Sequence, residues 1–163
     1  MSDMEQTIFA AGCFWGVQYY FDQIPGVAMT TVGYTGGTLE NPSYEDVCTQ
    51  KTGHAEAVLV EFDTTKVTID ELCTHFFRMH DPTTMNRQGP DVGVQYRSAI
   101  FYVTDAQRIA AERVRDKVQP QFDRPIVTII EQAGPFYQAE DYHQKYTERT
   151  GRGMCHVPYK SLV

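Results

Sequence analysis

A chain of 163 residues is long enough for one domain, and its 14 basic and 21 acidic side chains give a formal net charge of −7. This negative charge, with no run rich in lysine or arginine, argues against nucleic acid or an anionic membrane as the main partner. The amino terminus lacks a basic segment followed by an apolar one, and no apolar stretch approaches the ~20 residues of a membrane span. We therefore expect a cytoplasmic protein.

The first predicted elements are a strand and a helix. A short apolar strand is predicted over residues 7–11, and apolar residues at helical spacing between Phe14 and Ile24 predict a helix that stops before Pro25. Cys13 consequently lies at the junction where the strand gives way to the helix.

The middle of the chain contains two strands, a helix and a long loop. Strands are predicted at residues 27–34 and 54–62. Thr68 and Glu71 have the spacing of a capping box and predict the start of a helix. The segment 81–96 is polar and contains glycine, and loops of this length in compact domains are usually functional.

The rest of the chain adds a strand at 97–103, a helix from Thr104 to Val118, a strand at 126–131 and a polar helix around 139–146. This order predicts an α+β fold with a ferredoxin-like βαββαβ core and a mixed sheet, followed by an extra helix-strand-helix and an irregular C-terminal tail. We expect a single domain over residues 1–163, with a flexible tail over about residues 147–163.

The cysteines are few, widely spaced and without a CxxC pair. In a chain that shows no signal peptide, structural disulfides are not expected, because the cytosol keeps thiols reduced. A zinc site built from Cys73, His75 and His80 is an alternative, but histidines five residues apart do not share a helix face. We therefore expect no bound metal.

Cys13 is placed where a helix begins. Unpaired N–H groups and the helix macrodipole favour a negative charge there, so the thiol is expected to ionise more easily than a free cysteine and to act as a nucleophile. A buried, inert cysteine is the alternative interpretation of the position alone.

Five sequence blocks together resemble the type A peptide methionine sulfoxide reductases. These blocks are "GCFWG" from Gly12, "GYTGG" from Gly33, "GHAEAV" from Gly53, "DVGVQYRSAIF" from Asp91 and "AEDYHQKY" from Ala139. The resemblance spans nearly the whole chain. It implies one catalytic domain without a cofactor that repairs oxidative damage by reducing the S epimer of methionine sulfoxide, free or in proteins.

The resemblance also implies roles for individual residues. Cys13 would attack the sulfoxide sulfur and become a sulfenic acid. Glu56 opens an apolar strand, where loss of solvent would raise its pKa and let it serve as the general acid. Tyr44 and Tyr96 match two tyrosines that orient the sulfoxide oxygen, and Asp91 matches an acidic residue that helps to organise the site.

Phe14 and Trp15 resemble the family's apolar wall around the substrate methyl group. The resemblance further implies that Cys155 resolves the sulfenic acid as a Cys13–Cys155 disulfide, which a thioredoxin-like dithiol then reduces. Here the tail sequence "GRGMCH" lacks the aromatic residue often found before this cysteine, and no further tail cysteine follows. A cycle with one resolving cysteine in a monomeric enzyme is expected, and redox roles for Cys48 and Cys73 stay open.

Two other functions are weighed against this one. A cysteine hydrolase would use His54 or another histidine as its base, but no local cysteine-protease signature is present. A non-enzymatic binding module would bury "GCFWG" in its core and leave Cys13 resistant to alkylation.

Overall fold

The fold is described from a computed structural model that covers residues 3–153 and 159–162. The strands are β1 (Met4–Ala11), β2 (Val27–Thr35), β3 (Ala55–Asp63), β4 (Arg87–Gln88), β5 (Asp91–Val92), β6 (Ser98–Tyr102), β7 (Ile129–Gln132) and β8 (Phe136–Gln138). The helices are α1 (Phe14–Asp22), α2 (Tyr44–Cys48), α3 (Ile69–Met79), α4 (Asp105–Val118) and α5 (Tyr146–Thr150), with 3-10 turns at Val94–Tyr96, Gln119–Gln121 and Asp141–His143. Cys155 lies outside the described residues.

In this part of the chain a six-stranded sheet has the order β7-β6-β1-β3-β2-β8, and β4 pairs separately with β5. All neighbours in the large sheet are antiparallel except β6 and β7, which are parallel. The fold is therefore mixed α+β, as predicted. Because β1 pairs with β3 and β6, the end of β1 that leads into Cys13 lies among the central strands.

Helices α1 and α3 pack against one face of this sheet. Phe9 of β1 stacks on Phe21 of α1 at 4.8 Å between ring centroids and lies 5.4 Å from Phe76 of α3. A smaller apolar cluster around Ile8 and Phe101 covers the opposite face of the same strands. Since both faces are covered, β1 and β3 carry the nearly continuous apolar runs that made them recognisable in the sequence.

Two predicted helix starts are confirmed. The Thr68 hydroxyl accepts from the backbone N–H of Glu71 while the Glu71 carboxylate accepts from the N–H of Thr68, which is the capping box. Thr104 caps α4 by accepting from the N–H of Gln107.

The predicted polar helix over residues 139–146 is wrong. The structure places strand β8 before this segment and a 3-10 turn at Asp141–His143 within it, and α5 begins only at Tyr146. The side chain of Gln144 bonds to both the N–H and the carbonyl of Val32 on β2, and Lys145 has φ +57°. Tertiary bonds and a left-handed residue therefore replace the helix, and the extra elements run helix, strand, strand, short helix.

Helix α2 was absent from the prediction. Ser43 and Asp46 form a capping box here, with Asp46 in the position where glutamate or glutamine is usual. At only five residues, the helix is too short to show an apolar periodicity. Within residues 3–153 and 159–162, no helix is long and apolar enough to cross a membrane.

Candidate active site

Cys13 is the N-cap residue of α1, with φ −56° and ψ 121°, and it is half-buried. The preceding Gly12 has φ +98°, and a Cβ there would lie 2.8 Å from Cγ of Gln88. Glycine is therefore required for the sharp turn from β1 into α1. This turn places Cys13 at the start of α1, where the helix macrodipole favours a negative charge.

The carboxyl of Glu56 lies beside Cys13 in the buried part of the site. Its side chain is 1 % exposed, Oε1 accepts from the backbone N–H of Phe14 at 3.3 Å, and Oε2 accepts from Nε2 of Gln95 at 3.2 Å. Burial is the main cause that raises the pKa of Glu56, the two hydrogen bonds oppose it, and the charge of Asp91 adds a smaller upward contribution, so that the net pKa is about 7. A substantial fraction of Glu56 therefore keeps its proton at neutral pH.

Tyr44 and Tyr96 approach the same carboxyl from two different elements. Tyr44 is the first residue of α2, and Tyr96 closes the 3-10 turn at 94–96. Burial raises the pKa of both phenols above the usual range, and the nearby Glu56 carboxylate adds to each shift. Both hydroxyls are consequently neutral donors at physiological pH.

Asp91 begins β5 in the loop that precedes Tyr96, and its side chain is half-buried. Its negative charge raises the pKa values of both Glu56 and Tyr96. The structure thus brings Asp91 into electrostatic range of the acid and of one hydroxyl.

The two aromatic residues after Cys13 have different surroundings. Phe14 is 1 % exposed and packs 5.7 Å from the ring of Tyr34, so its side chain belongs to the core. Trp15 is only partly buried, stacks on Tyr146 at 3.9 Å and donates from Nε1 to Nδ1 of His143 at 2.9 Å. Of the pair, Trp15 offers an apolar surface beside the thiol.

Sequence reasoning missed four residues of this site: Gln95, Cys48, His143 and Glu140. Gln95 bonds to Glu56, Glu140 bonds to the backbone N–H of Tyr44, and His143 holds the indole of Trp15. Three of these residues lie within the sequence blocks that resemble the family, and that position was the signal that could have identified them. Cys48 had no such signal.

Glu140 fixes α2 against the sheet. It accepts from the Tyr34 hydroxyl at 3.0 Å and from the backbone N–H of Tyr44 at 3.1 Å. Although burial acts in the opposite direction, these donors lower the pKa of Glu140, so it is a carboxylate at neutral pH. The position of Tyr44 in the site therefore depends on a residue 96 positions later in the chain.

The histidines named for the alternative functions, His54, His75 and His80, have other partners. His54 is 1 % exposed; Nδ1 accepts from the N–H of Gly37, and Nε2 donates to the carbonyl of Leu39. It therefore has no nitrogen available as a hydrolytic base. His75 bonds to the Tyr20 hydroxyl and His80 to Ser98. Among the residues described, no group of three potential metal ligands occurs.

Comparison with known proteins gives consistent matches. The family described as "Peptide methionine sulfoxide reductase" matches residues 5–163. The peptide methionine sulfoxide reductase MsrA of Methanothermobacter thermautotrophicus is 54 % identical over 159 residues, which cover 96 % of this chain and 94 % of that protein.

Two solved structures of Mxr1 from Saccharomyces cerevisiae also match. The reduced form has a TM-score of 0.90 and 36 % identity, and the match covers 96 % of this chain and 92 % of the other. The complex of Mxr1 with Trx2 has a TM-score of 0.66 and 26 % identity, covering 96 % and 91 %.

Proposed function

This chain belongs to the peptide methionine sulfoxide reductase family, and from that premise we propose that its activity runs through Cys13 as nucleophile and Glu56 as general acid. It is an oxidoreductase that reduces methionine sulfoxide to methionine. The observation that carries the residue assignment is the hydrogen bond from the N–H of Phe14, the residue after Cys13, to the buried Glu56 carboxyl.

In the first step the Cys13 thiolate attacks the electrophilic sulfur of the sulfoxide. Glu56 gives its proton to the sulfoxide oxygen, and the S–O bond of the substrate breaks. The departing hydroxyl bonds to the Cys13 sulfur as the transient bond between Cys13 and the substrate sulfur breaks, which leaves a sulfenic acid on Cys13 and releases the methionine thioether. Two electrons pass from the thiolate to the substrate, and the proton from Glu56 balances the charge. A carboxyl with a pKa of about 7 is suited to donate at neutral pH.

The hydroxyls of Tyr44 and Tyr96 are proposed to bind the sulfoxide oxygen while negative charge develops on it. Their raised pKa values support this role, because neutral phenols can donate. Asp91 is proposed to help keep Glu56 protonated through its charge. Trp15 is proposed to contact the substrate methyl group, with Phe14 supporting it from the core.

The second step is proposed to join the Cys13 sulfenic acid to the thiol of Cys155, which forms a disulfide and releases water. Support comes from Gly153, which packs closely against Trp15: a Cβ added at Gly153 would lie only 3.1 Å from the Trp15 indole. Cys155 follows Gly153 by two positions in the sequence. The Mxr1–Trx2 complex supports a thioredoxin-like dithiol as the reductant that restores both thiols.

The stereochemistry, domain and compartment belong to the same proposal. The S epimer is the proposed substrate because the type A resemblance implies it, and separate enzymes reduce the two epimers. One catalytic domain is supported by the continuous sheet and by the family match over residues 5–163, and it is proposed to act as a monomer in the cytoplasm. The order β6-β1-β3-β2, with α1 and α3 as crossovers, supports a ferredoxin-like core.

The test mixes stoichiometric enzyme with each resolved epimer of a methionine sulfoxide peptide in the absence of reductant. About one equivalent of sulfide and the loss of two thiols are expected, and only from the S epimer. Absence of sulfide with both epimers would contradict the proposed function.

Variants separate the two steps of this assay. Cys13→Ser should form no sulfide, while Cys155→Ser should form one equivalent and retain a sulfenic acid that a dimedone reagent labels. Equal multiple-turnover rates for wild type and Cys155→Ser with thioredoxin would remove Cys155 from the cycle.

A further inference from the structure

The 3-10 turn at Val94–Tyr96 sends two successive side chains to the site. It is held by bonds from the Tyr96 N–H to the Gly93 carbonyl and from the Arg97 N–H to the Val94 carbonyl. Tyr96 is one of the proposed oxygen ligands. The neighbouring Gln95 is 3 % exposed, so its amide points into the protein beside Glu56.

The amide nitrogen of Gln95 has two acceptors. Nε2 donates to Oε2 of Glu56 at 3.2 Å and to Sγ of Cys48 at 3.5 Å. A glutamine amide has two N–H groups, so both are used. Because Phe14 donates to Oε1, each oxygen of the Glu56 carboxyl has one donor, and the carboxyl plane is held from two sides.

We propose that Gln95 is a positioning residue for the reduction step: it orients the Glu56 carboxyl for proton transfer to the sulfoxide oxygen, with Cys48 as the second acceptor that fixes the amide. This inference rests on the proposed function. It assigns Gln95 to the acid rather than to the substrate, because its donors are already bound to Glu56 and Cys48.

The position of Cys48 supports this assignment. Cys48 ends α2, whose first residue is Tyr44, and after the larger effect of burial the Cys48 side chain also helps to raise the pKa of the Tyr44 hydroxyl. The thiol thus connects the amide that holds the acid with a hydroxyl proposed to hold the oxygen. A short helix fixed by Glu140 and a short turn containing Gln95 are joined at this point.

The same contacts predict how Gln95 affects the pH dependence. A donor bound to a carboxylate favours the ionised form, so the Gln95 amide lowers the pKa of Glu56 against the larger effect of burial. Its removal should raise that pKa and extend the pH range in which the acid keeps its proton. The other titratable groups that act electrostatically with Glu56 stay in place in such a variant: Asp91, Tyr34, Tyr44 and Tyr96.

The test compares wild type with Gln95→Leu, which is similar in size but has no donor. Sulfide formation is followed in single turnovers with the S-sulfoxide peptide between pH 5.5 and 9. This range includes the pKa of about 7 of Glu56 in the wild type. We expect the alkaline decline to move up by about one pH unit. The rate on the acidic plateau should fall about tenfold, because the carboxyl is less well oriented.

The matched control is Gln107→Leu. Gln107 is also almost fully buried and also donates to a carboxylate, that of Glu5, on the far part of β1. Gln107→Leu should change neither the rate on the acidic plateau nor the pH of the alkaline decline. Gln95→Asn, which withdraws the amide by one methylene, is measured in parallel and should give the same upward shift, so that a Leu variant that fails to fold does not decide the result.

Iodoacetamide alkylation of Cys13 should proceed at the wild-type rate in folded Gln95 variants. If the single-turnover rate of the folded Gln95 variants declines at the same pH as that of the wild type and has the same acidic plateau, the role of Gln95 is overturned and the proposed function is not. Failure of the wild type itself to form sulfide would instead overturn the proposed function.

Discussion

Glu56 combines burial with two hydrogen-bond donors. Burial disfavours the ionised carboxyl, while the N–H of Phe14 and the amide of Gln95 favour it, and the outcome is a pKa of about 7. Burial alone would raise the pKa further, and the donors alone would lower it. Its ability both to hold and to release a proton therefore depends on this balance at one side chain.

The prediction at this scale concerns Glu56→Gln. The variant keeps the shape of the side chain but has no acidic proton, so the single-turnover rate of sulfide formation should fall about 10²-fold to 10⁴-fold, the usual contribution of a general acid. Wild type should lose rate as pH rises through about 7, the pKa of Glu56, and the variant should lack this decline.

Alkylation of Cys13 should be nearly unchanged in Glu56→Gln, which separates the acid from activation of the thiol. A Glu56→Gln enzyme with wild-type single-turnover kinetics would remove Glu56 from the mechanism.

At the scale of elements, the segment after β8 joins the tail to the rest of the fold. Gln144 completes the edge of β2, and the Lys145 ammonium bonds to Asp22 at 2.7 Å and to Thr30 at 2.9 Å. His143 meanwhile holds the Trp15 indole. The segment thus fixes both the sheet edge and the aromatic surface beside Cys13.

The chain beyond α5 has an anchor on each side of residues 154–158. Before them, Gly153 packs on Trp15. After them, Tyr159 stacks on His75 at 5.5 Å, meets Tyr20 edge-on at 5.5 Å and packs against the main core. We expect these two contacts to raise the effective concentration of the Cys155 thiol at Cys13.

Tyr159→Ala should therefore slow disulfide formation without slowing sulfide release. In the stoichiometric assay, the loss of the second thiol should lag behind sulfide by about threefold to tenfold relative to wild type. Tyr102→Ala, which removes another half-buried tyrosine at the end of β6, serves as the control. Faster disulfide formation in Tyr159→Ala would mean that the anchor holds the tail away from Cys13.

At the scale of the molecule, the buried acid has a cost in stability. Between pH 4.5 and 7 the unfolded Glu56 carboxyl ionises while the folded one keeps its proton. The unfolded state therefore binds fewer protons, and the free energy of unfolding falls as pH rises through this window. The shift corresponds to roughly 3 kcal/mol above pH 7.

The stability of Glu56→Gln relative to wild type should consequently be greater at pH 8 than at pH 4.5, although the variant has lost activity. The difference in Tm between variant and wild type should increase by roughly 5–10 °C between these pH values. Buried His75 and His80, whose pKa values burial lowers to about 4, titrate in both proteins and cancel. Thermal unfolding followed by circular dichroism gives the measurement.

Glu61→Gln is the control for this comparison. It lies on the same strand, but its carboxylate accepts from the exposed side chain of Gln6. A Tm difference for Glu56→Gln that is constant with pH would contradict the proposed burial cost.

The sequence could predict those parts of the fold whose causes are local. The capping residues Thr68 and Thr104 lie next to the helices they begin, and the apolar runs of β1 and β3 need no partner to be recognised. The segment 139–146 was predicted wrongly, because its conformation follows from bonds to Val32, Gln18 and Asp22 more than 100 positions away. Helix α2 was not predicted because its five residues are too few to show an apolar periodicity.

The sequence by itself determined that Cys13 follows a glycine turn at the start of a helix, and its motif blocks identified the family. Only the tertiary structure decided what surrounds the thiol. Pairing of β1 with β3 brings Glu56 to the N–H of Phe14, and the 94–96 turn brings the Gln95 amide to Glu56 and to Cys48. These three hydrogen bonds join residues 39 to 47 positions apart. The pKa of the acid depends on them, because solvent exclusion and hydrogen-bond donors are properties of the folded surroundings and not of the local sequence.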